Sequence, residues 1–189
     1  KQSSKSTSKD PFWVVDPLDG TVNFLRGLPM YCISVGLWAN NQPVLGVVLD
    51  VPNNQLFTGI VGVGARCNRD VIEVNKRSNS DPSSAVLCAG FPAGLDHTKK
   101  NLDGIVSLIS QFGKVRMLGS AALMLCYIAS GRCDSYWERQ IRLWDVAAAL
   151  AIVVSAGGQY KLGEISEDFR VDVEAASDAS LLVSRINAK

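Results

Sequence analysis

The sequence has few of the residues on which several common kinds of site depend. It contains one histidine, His97, and five cysteines that are scattered along the chain without a Cys-x-x-Cys pair. A Ser–His–Asp or Cys–His catalytic arrangement, a zinc ribbon and a disulfide scaffold are therefore not expected. Unpaired cysteines of this kind are typical of the reducing cytoplasm. We interpret His97 as a solvated residue at the entry to a helix.

The chain also has no charge excess, no internal repeat and no long apolar run. Nineteen Lys and Arg residues balance eighteen Asp and Glu residues, which gives a formal net charge of +1. This balance argues against a nucleic-acid partner or a membrane-coating role. No apolar stretch approaches the roughly 18 residues that span a bilayer. With 47% hydrophobic residues over 189 positions, we predict a globular, cytoplasmic protein with a substantial core.

Turn residues and apolar patterns divide the chain into three parts. Residues 1–10 are rich in Ser and Lys and are predicted to be a flexible arm or loop. Residues 11–82 contain consecutive strand patterns without a long helix, which predicts an antiparallel-sheet half. Residues 83–189 alternate strand and helix patterns, which predicts a layered α/β half.

The predicted elements follow apolar periodicity and turn chemistry. We predict strands over 12–15, 31–38, 44–51, 55–60, 65–74, 85–89, 115–118, 133–137, 160–161 and 181–184. We predict helices over 101–112, from a Ser120 cap through 129, and over 144–156. Trp13, Trp38 and Trp144 are interpreted as core aromatics.

The run WVVDPLDGTVNF at 13–24 places two carboxylates, Asp16 and Asp19, at the end of an apolar strand pattern. If both face one pocket, a divalent cation relieves their repulsion most simply, and oxygen ligands of this kind suit magnesium. The carbonyl of Leu18 is a possible further ligand. For an isolated Asp-x-x-Asp the commoner outcome is a turn in which both side chains cap backbone groups.

The turn after these carboxylates has the features of an anion site. Gly20 permits a sharp turn, and the backbone N–H groups of Gly20 and Thr21 would point at a neighbouring anion, as at a helix start. A metal site beside an anion cradle predicts phosphate chemistry.

A second cluster lies far along the chain, at Trp137-Glu138 and Leu143-Trp144-Asp145. Asp145 begins a helix of small and apolar residues. Alone it would complement the helix dipole. A carboxylate this close to a buried helix also requires a cation.

Together these stretches resemble the inositol monophosphatase family of magnesium-dependent, lithium-sensitive phosphatases. The resemblance covers roughly residues 11 to 185 and is carried by WVVDPLDGTVNF at 13–24, GARCN at 64–68, GSAAL at 119–123 and LWDVAAALAIVVSAGG at 143–158. It implies a mixed α/β fold, the layered αβαβα sandwich of the inositol monophosphatase and fructose bisphosphatase type, without its N-terminal helices.

The resemblance also implies the ligands of the metal ions. Asp16, Asp19, Asp145 and the carbonyl of Leu18 are the implied ligands of two or three Mg²⁺ ions. The resemblance further implies that Mn²⁺ substitutes for Mg²⁺ and that Li⁺ inhibits.

The resemblance implies Thr21 and Asp19 as catalytic residues, with Thr21 helping to orient the attacking water. It implies the amides of Gly20 and Thr21 as phosphate-binding groups. Glu138 and Ala121 are the implied substrate-binding residues. Ser120 and Asn23 are interpreted as supports of the loop. The implied reaction is in-line attack of metal-activated water on a phosphate monoester of inositol or a similar polyol or sugar.

One departure from the family concerns a glutamate-bearing element that the family places well upstream of the DPLDG turn. The only acid ahead of Asp16 is Asp10, which we do not assign to that role. We therefore predict that the 189-residue chain binds magnesium weakly and turns over slowly.

Other functions stay open at this point. Within the superfamily they are a fructose bisphosphatase, a bisphosphate nucleotidase or a histidinol-phosphate phosphatase, and Asn23-Phe24 favours the inositol type. An alternative from a different functional class is a non-catalytic relative that binds or regulates a partner. The family habit implies a homodimer, with residues 32–38 near its interface.

Overall fold

The computed structural model describes residues 10–76, 81–91 and 98–183. His97 and residues 1–9 of the predicted arm lie outside this range. The described strands are β1 (Phe12–Asp19), β2 (Cys32–Ala39), β3 (Gln42–Asp50), β4 (Gln55–Ile60), β5 (Gly64–Cys67), β6 (Asp70–Ile72), β7 (Val86–Ala89), β8 (Lys114–Arg116), β9 (Ser135–Arg142), β10 (Gln159–Leu162) and β11 (Arg170–Ala176). The described α-helices are α1 (Thr21–Leu25), α2 (Lys99–Ile109), α3 (Ala121–Ala129) and α4 (Leu143–Ser155).

The first sheet is an antiparallel meander in which β1 to β6 pair in chain order. Side chains alternate between its two faces, so Val14 and Asp16 of β1 point inward while Trp13 and Val15 point outward. The interpretation of Trp13 as a core aromatic is wrong, because its side chain is 61% exposed. Trp38 is fully buried and donates its indole N–H to the carbonyl of Ala147.

The inner face of this sheet packs directly on α4, because glycines lie where the helix crosses. A Cβ on Gly46 would lie 1.9 Å from the carbonyl oxygen of Ala148, and a Cβ on Gly36 would lie 2.9 Å from the amide nitrogen of that residue. The helix meets the glycines with small residues, Ala147 to Ala149, all buried. This close approach determines how far the first turn of α4 lies from β1.

The second sheet is mixed, with the strand order β10-β11-β9-β7-β8. Strand β7 runs parallel to β8 and β9, whereas β11 is antiparallel to β9 and β10. Helices α3 and α4 lie between the two sheets, and α2 covers the far side of the second one with Ile105 and Leu108. The predicted mixed α/β class is confirmed. Among the described residues, no element covers the outer face of the first sheet.

Several predicted boundaries were wrong. Strand β1 continues through Pro17 to Asp19, since an edge strand tolerates a proline, and the predicted strand 65–74 is two strands separated by a turn at Asn68. Strand β11 was missed. The last strand was predicted to begin at Leu181, which instead ends a 3₁₀ turn over 179–181, and Ser184 lies outside the described residues.

All five cysteines are free thiols, as expected from their spacing. No described helix combines the length and apolarity needed to cross a membrane.

Candidate active site

Two of the predicted carboxylates leave β1 on the same side. Residues three apart on a regular strand face opposite sides, but the pairing of β1 with β2 changes register between Asp16 and Asp19, so both side chains are buried against the helices. Asp16 accepts a hydrogen bond from the amide of Leu18 at 3.0 Å. The strand irregularity therefore brings both carboxylates to one pocket.

Asp19 is held from three directions. Its Oδ2 accepts hydrogen bonds from the hydroxyl of Ser120 at 2.5 Å, the amide of Ala122 at 2.9 Å and the thiol of Cys32 at 3.6 Å. Ser120 is also the N-cap of α3, as the sequence predicted. The start of α3 and β2 thus fix one oxygen of Asp19 and leave the other directed at the pocket.

The third predicted carboxylate, Asp145, reaches the pocket from the first turn of α4. Its Oδ2 accepts a hydrogen bond from the amide of Arg142 at 3.3 Å. One carboxylate oxygen from each of Asp16, Asp19 and Asp145 lies within 4.8 Å of the other two. The structure therefore brings Asp145 to two acids that precede it in the chain by more than a hundred residues.

The three carboxylates lie close together, and no neighbouring positive charge in the described part of the chain pairs with them. Burial raises the pKa of Asp19 to about 6, and the nearby Asp16 adds to that rise, while the hydrogen bonds from Ser120 and Ala122 oppose it. Burial raises the pKa of Asp145 to about 7, with further contributions from Asp19 and Asp16. Within the described ranges none of the three acids forms an ion pair. The donor set of carboxylate oxygens fits a hard divalent cation.

The predicted phosphate-binding turn directly follows β1. Gly20 has φ 83°, and a Cβ there would lie 2.5 Å from the carbonyl of Met30, so a side chain is excluded for two reasons. Helix α1 begins at Thr21, whose hydroxyl donates to the carbonyl of Leu18 at 2.9 Å. Asn23 donates to the carbonyls of Met30 and Leu118 and so anchors the turn.

The predicted substrate residues line a cleft next to the carboxylates. This cleft has a volume of about 370 Å³, and its walls include Asp19, Asp145, Ala121 and Glu138. Clefts of roughly 300–1,000 Å³ hold small-molecule ligands. Ala121 is the first residue of α3, and Glu138 lies on β9. The cleft is therefore large enough for a phosphorylated sugar or polyol.

Glu138 is largely buried in this cleft. Its Oε2 accepts a hydrogen bond from the hydroxyl of Tyr136 at 2.7 Å. Burial raises the pKa of Glu138 to about 7, against the lowering effect of that hydrogen bond and with a smaller contribution from Asp19. A Cβ on Gly90 would overlap the carboxylate, so this glycine makes room for it.

Sequence reasoning missed two partners of these acids. Tyr136 stands two residues before Glu138 and so shares its face of the strand, a signal that the sequence did contain. Cys32 gave no such signal, because only the pairing of β1 with β2 places it opposite Asp19. Arg142 and Arg170 also line the cleft.

Comparison with known proteins agrees with the resemblance seen in the sequence. The family model described as the inositol monophosphatase family matches residues 1–179. The mixed α/β fold and the acidic pocket are those of a phosphatase family. The chain belongs to the inositol monophosphatase family.

The sequence identity to individual relatives is moderate. The chain is 39% identical over 175 residues to the Nus factor SuhB of Xylella fastidiosa, which covers 92% of this chain and 63% of the relative. It is 40% identical over 185 residues to inositol monophosphatase 2 of Solanum lycopersicum, which covers 95% of this chain and 68% of the relative. The chain thus spans about two thirds of these proteins.

Solved structures show the same fold. The structure of an inositol monophosphatase from Anabaena (Nostoc) sp. PCC 7120 aligns with a TM-score of 0.84 and 33% identity. The match covers 97% of this chain and 74% of that one.

Proposed function

We propose that this chain hydrolyses a phosphate monoester of inositol, or of a similar polyol or sugar, by attack of a metal-activated water. The observation that carries the proposal is the convergence of Asp16, Asp19 and Asp145 within 4.8 Å at the end of a cleft that contains Glu138. Membership of the inositol monophosphatase family supports the same reaction.

The metal proposal is Mg²⁺, two or three ions, held by Asp16, Asp19, Asp145 and the carbonyl of Leu18. The uncompensated carboxylates support it, because their mutual repulsion and burial leave a need for positive charge. Bound divalent cations supply Lewis acidity and lower the pKa of coordinated water. Substitution by Mn²⁺ and inhibition by Li⁺ belong to the same proposal.

The residues of the chain then have distinct tasks. The amides of Gly20 and Thr21 bind the phosphate, since the first N–H groups of a helix have no partner within it. The hydroxyl of Thr21 orients the water near Asp19. Ser120 holds Asp19 in place with its 2.5 Å hydrogen bond.

At the other end of the cleft, Glu138 accepts a hydrogen bond from a hydroxyl of the ring, and Ala121 leaves space beside it. The phosphoryl group thereby lies between the carboxylates and the helix start of α1. The ring lies against β9.

The test is phosphate release at saturating Mg²⁺ from inositol monophosphate, fructose bisphosphate, phosphoadenosine phosphate and histidinol phosphate. We expect inositol monophosphate to be the preferred substrate and Asp19→Asn to lower its turnover by at least about a hundredfold. Asp103→Asn, an exposed change on α2, is the matched control and retains full activity. Metal-independent turnover, or an active Asp19→Asn variant, would contradict the proposal.

The same panel addresses the other functions. A preference for one of the last three substrates selects that enzyme class, and no turnover of any of them favours a non-catalytic relative that binds or regulates a partner. The weak magnesium binding and slow turnover predicted for this 189-residue chain stay predictions, as does a cytoplasmic location. We also propose a homodimer, supported by the outward-facing apolar residues Ile33, Val35 and Leu37 of β2, and light scattering on the purified chain tests it.

A further inference from the structure

Tyr136 lies behind the wall of the cleft, inside the core. Its side chain is fully buried, so a ligand in the cleft does not touch it. On β9 it is paired with Cys88 of β7 on one side and with Ala175 of β11 on the other. Because the strand is paired on both sides and the ring packs among the buried residues between the sheets, the fold fixes the position of the phenol oxygen.

Among the described residues, the Tyr136 hydroxyl has one hydrogen-bond partner, the carboxylate of Glu138. It donates to Oε2 at 2.7 Å. The two side chains share a face of β9, while Trp137 between them packs into the core cluster on the other face. Burial raises the pKa of Tyr136 well above its ordinary value, and Glu138 adds to the rise. The hydroxyl therefore stays protonated and remains a donor to Glu138.

Gly90 restricts the same carboxylate from a second direction. This glycine directly follows β7, and a Cβ on it would overlap Cδ and both carboxylate oxygens of Glu138. Its backbone therefore lies against the carboxylate and limits how the side chain rotates. With Oε2 occupied by Tyr136, Oε1 is the oxygen left for a ligand, because it has no hydrogen-bond partner in the described part of the chain.

A carboxylate that is held in this way is a better acceptor than a free one. An unrestrained glutamate side chain loses rotamer freedom when it binds a ligand, and this loss weakens binding. The contacts with Tyr136 and Gly90 have already removed that freedom. Burial raises the pKa of Glu138, and the hydrogen bond from Tyr136 opposes the rise, so the same contact favours the ionised carboxylate.

We infer that Tyr136 is a positioning residue which, together with Gly90, holds Glu138 in the orientation in which Oε1 accepts a hydrogen bond from a ring hydroxyl of the substrate. This inference rests on the proposed phosphatase function. It adds the residues that give the site its preference for a hydroxyl-bearing ring.

Two phosphate monoesters with the same six-membered carbon ring test it, inositol monophosphate and cyclohexyl phosphate, which has no hydroxyl. The hydroxyl preference is the kcat/KM for inositol monophosphate divided by that for cyclohexyl phosphate. We expect Tyr136→Phe to lower this preference by about tenfold, as the loss of one hydrogen bond to a charged group would give, and mainly through KM for inositol monophosphate. Tyr136→Phe keeps the buried ring and so leaves the core filled.

Tyr160→Phe is the matched control. Tyr160 is half-buried on β10, and among the described residues its hydroxyl has no hydrogen-bond partner. This change should leave the hydroxyl preference unaltered.

Two further variants separate positioning from a structural role. Gly90→Ala should lower the hydroxyl preference as Tyr136→Phe does, because the new methyl group displaces the far end of a flexible side chain. In a Glu138→Ala background, Tyr136→Phe should change the preference no further, since it acts through Glu138. A preference unaffected by Tyr136→Phe, or lowered equally in the Glu138→Ala background, overturns the inference. If the parent chain hydrolyses both compounds equally well, the inference fails and the phosphatase function stands.

If neither compound is hydrolysed, the phosphatase function fails, and calorimetric titration in the presence of Mg²⁺ tests Tyr136 by binding. The same titration applies if only inositol monophosphate is turned over. Tighter binding of inositol monophosphate than of cyclohexyl phosphate, with the difference reduced about tenfold by Tyr136→Phe, supports the inference. Equal affinities in the parent chain, binding of neither compound, or a difference that Tyr136→Phe leaves intact overturns it.

Discussion

The position of α4 relative to the first sheet controls both stability and the carboxylate pocket, and Gly46→Ala tests this directly. The new Cβ would lie 1.9 Å from the carbonyl oxygen of Ala148 and 2.7 Å from its carbonyl carbon. Contacts below 3.0 Å essentially do not occur for real Cβ atoms, so helix and strand must separate by about 1 Å.

The helix cannot move that far without cost, because it is packed between both sheets. Overpacking of this kind costs roughly 1–3 kcal/mol and occasionally more. We expect a loss of about 3 kcal/mol in the free energy of unfolding, or a fall of roughly 6–12 °C in Tm for a chain of this size. Urea unfolding followed by circular dichroism measures the loss.

The same displacement should reach the site. Asp145 lies one helical turn before Ala148, whereas Asp16 and Asp19 lie on β1 and do not follow the helix. A shift of about 1 Å would separate ligand atoms that now lie within 4.8 Å of one another. We expect Mg²⁺ affinity, measured by calorimetry on the folded variant, to fall by about tenfold or more.

The control is the same change where there is space. A Cβ on Gly104 in α2 meets nothing within 4 Å, so Gly104→Ala should stabilise the chain by about 0.5–1 kcal/mol. The reasoning would be refuted if Gly46→Ala unfolded within about 0.5 kcal/mol of the parent chain. An unstable variant with unchanged magnesium affinity would refute the link between helix position and site.

Further predictions concern the acids themselves. The folded-state pKa of Asp145 is raised from 3.8 to about 7, so in EDTA the stability of the chain falls as the pH rises through this window. Asp145→Asn should therefore be about 2–4 kcal/mol more stable than the parent at pH 8 and equal to it near pH 4. Urea unfolding at both pH values measures this, and a difference that does not change with pH would contradict it. Ser120→Ala removes both the 2.5 Å hydrogen bond to Asp19 and the cap of α3, so we expect a loss of about 1–3 kcal/mol by the same assay. Added Mg²⁺ should raise the Tm of the parent chain more at pH 8 than at pH 5, since the carboxylates are then ionised, and differential scanning fluorimetry measures this. Glu138→Gln should raise KM for the polyol substrate with less effect on kcat, because the change lies at the ring end of the cleft; steady-state kinetics test it, and an unaltered KM would argue against substrate contact.

Local patterns predicted most of the elements that carry the site. The helix cap at Ser120, the small residues of α4 and the turn at Gly20 all follow from residue chemistry at one place in the chain. Strand β11 was missed although Val171 and Val173 alternate with Asp172, because acidic residues on its outer face resembled a loop.

Other features were beyond sequence reasoning. The exposure of Trp13 depends on which face of β1 meets α4, and that face is set by pairing with β2. The thiol of Cys32 and the amide of Ala122 reach Asp19 only after three separate elements pack together. Such contacts have no local signature.

The sequence by itself determined the kinds of residue available and their local conformations. Asp16, Asp19 and Asp145 supply the charges, and Gly20 supplies the turn. Only the tertiary structure decided that these charges meet, because the register shift in β1 turns two of them inward and the glycines of the sheet let α4 approach with the third. It also decided that Arg142 and Arg170 lie opposite each other at the same cleft. The physical reason is that side-chain chemistry is local, whereas distance between elements is set by packing.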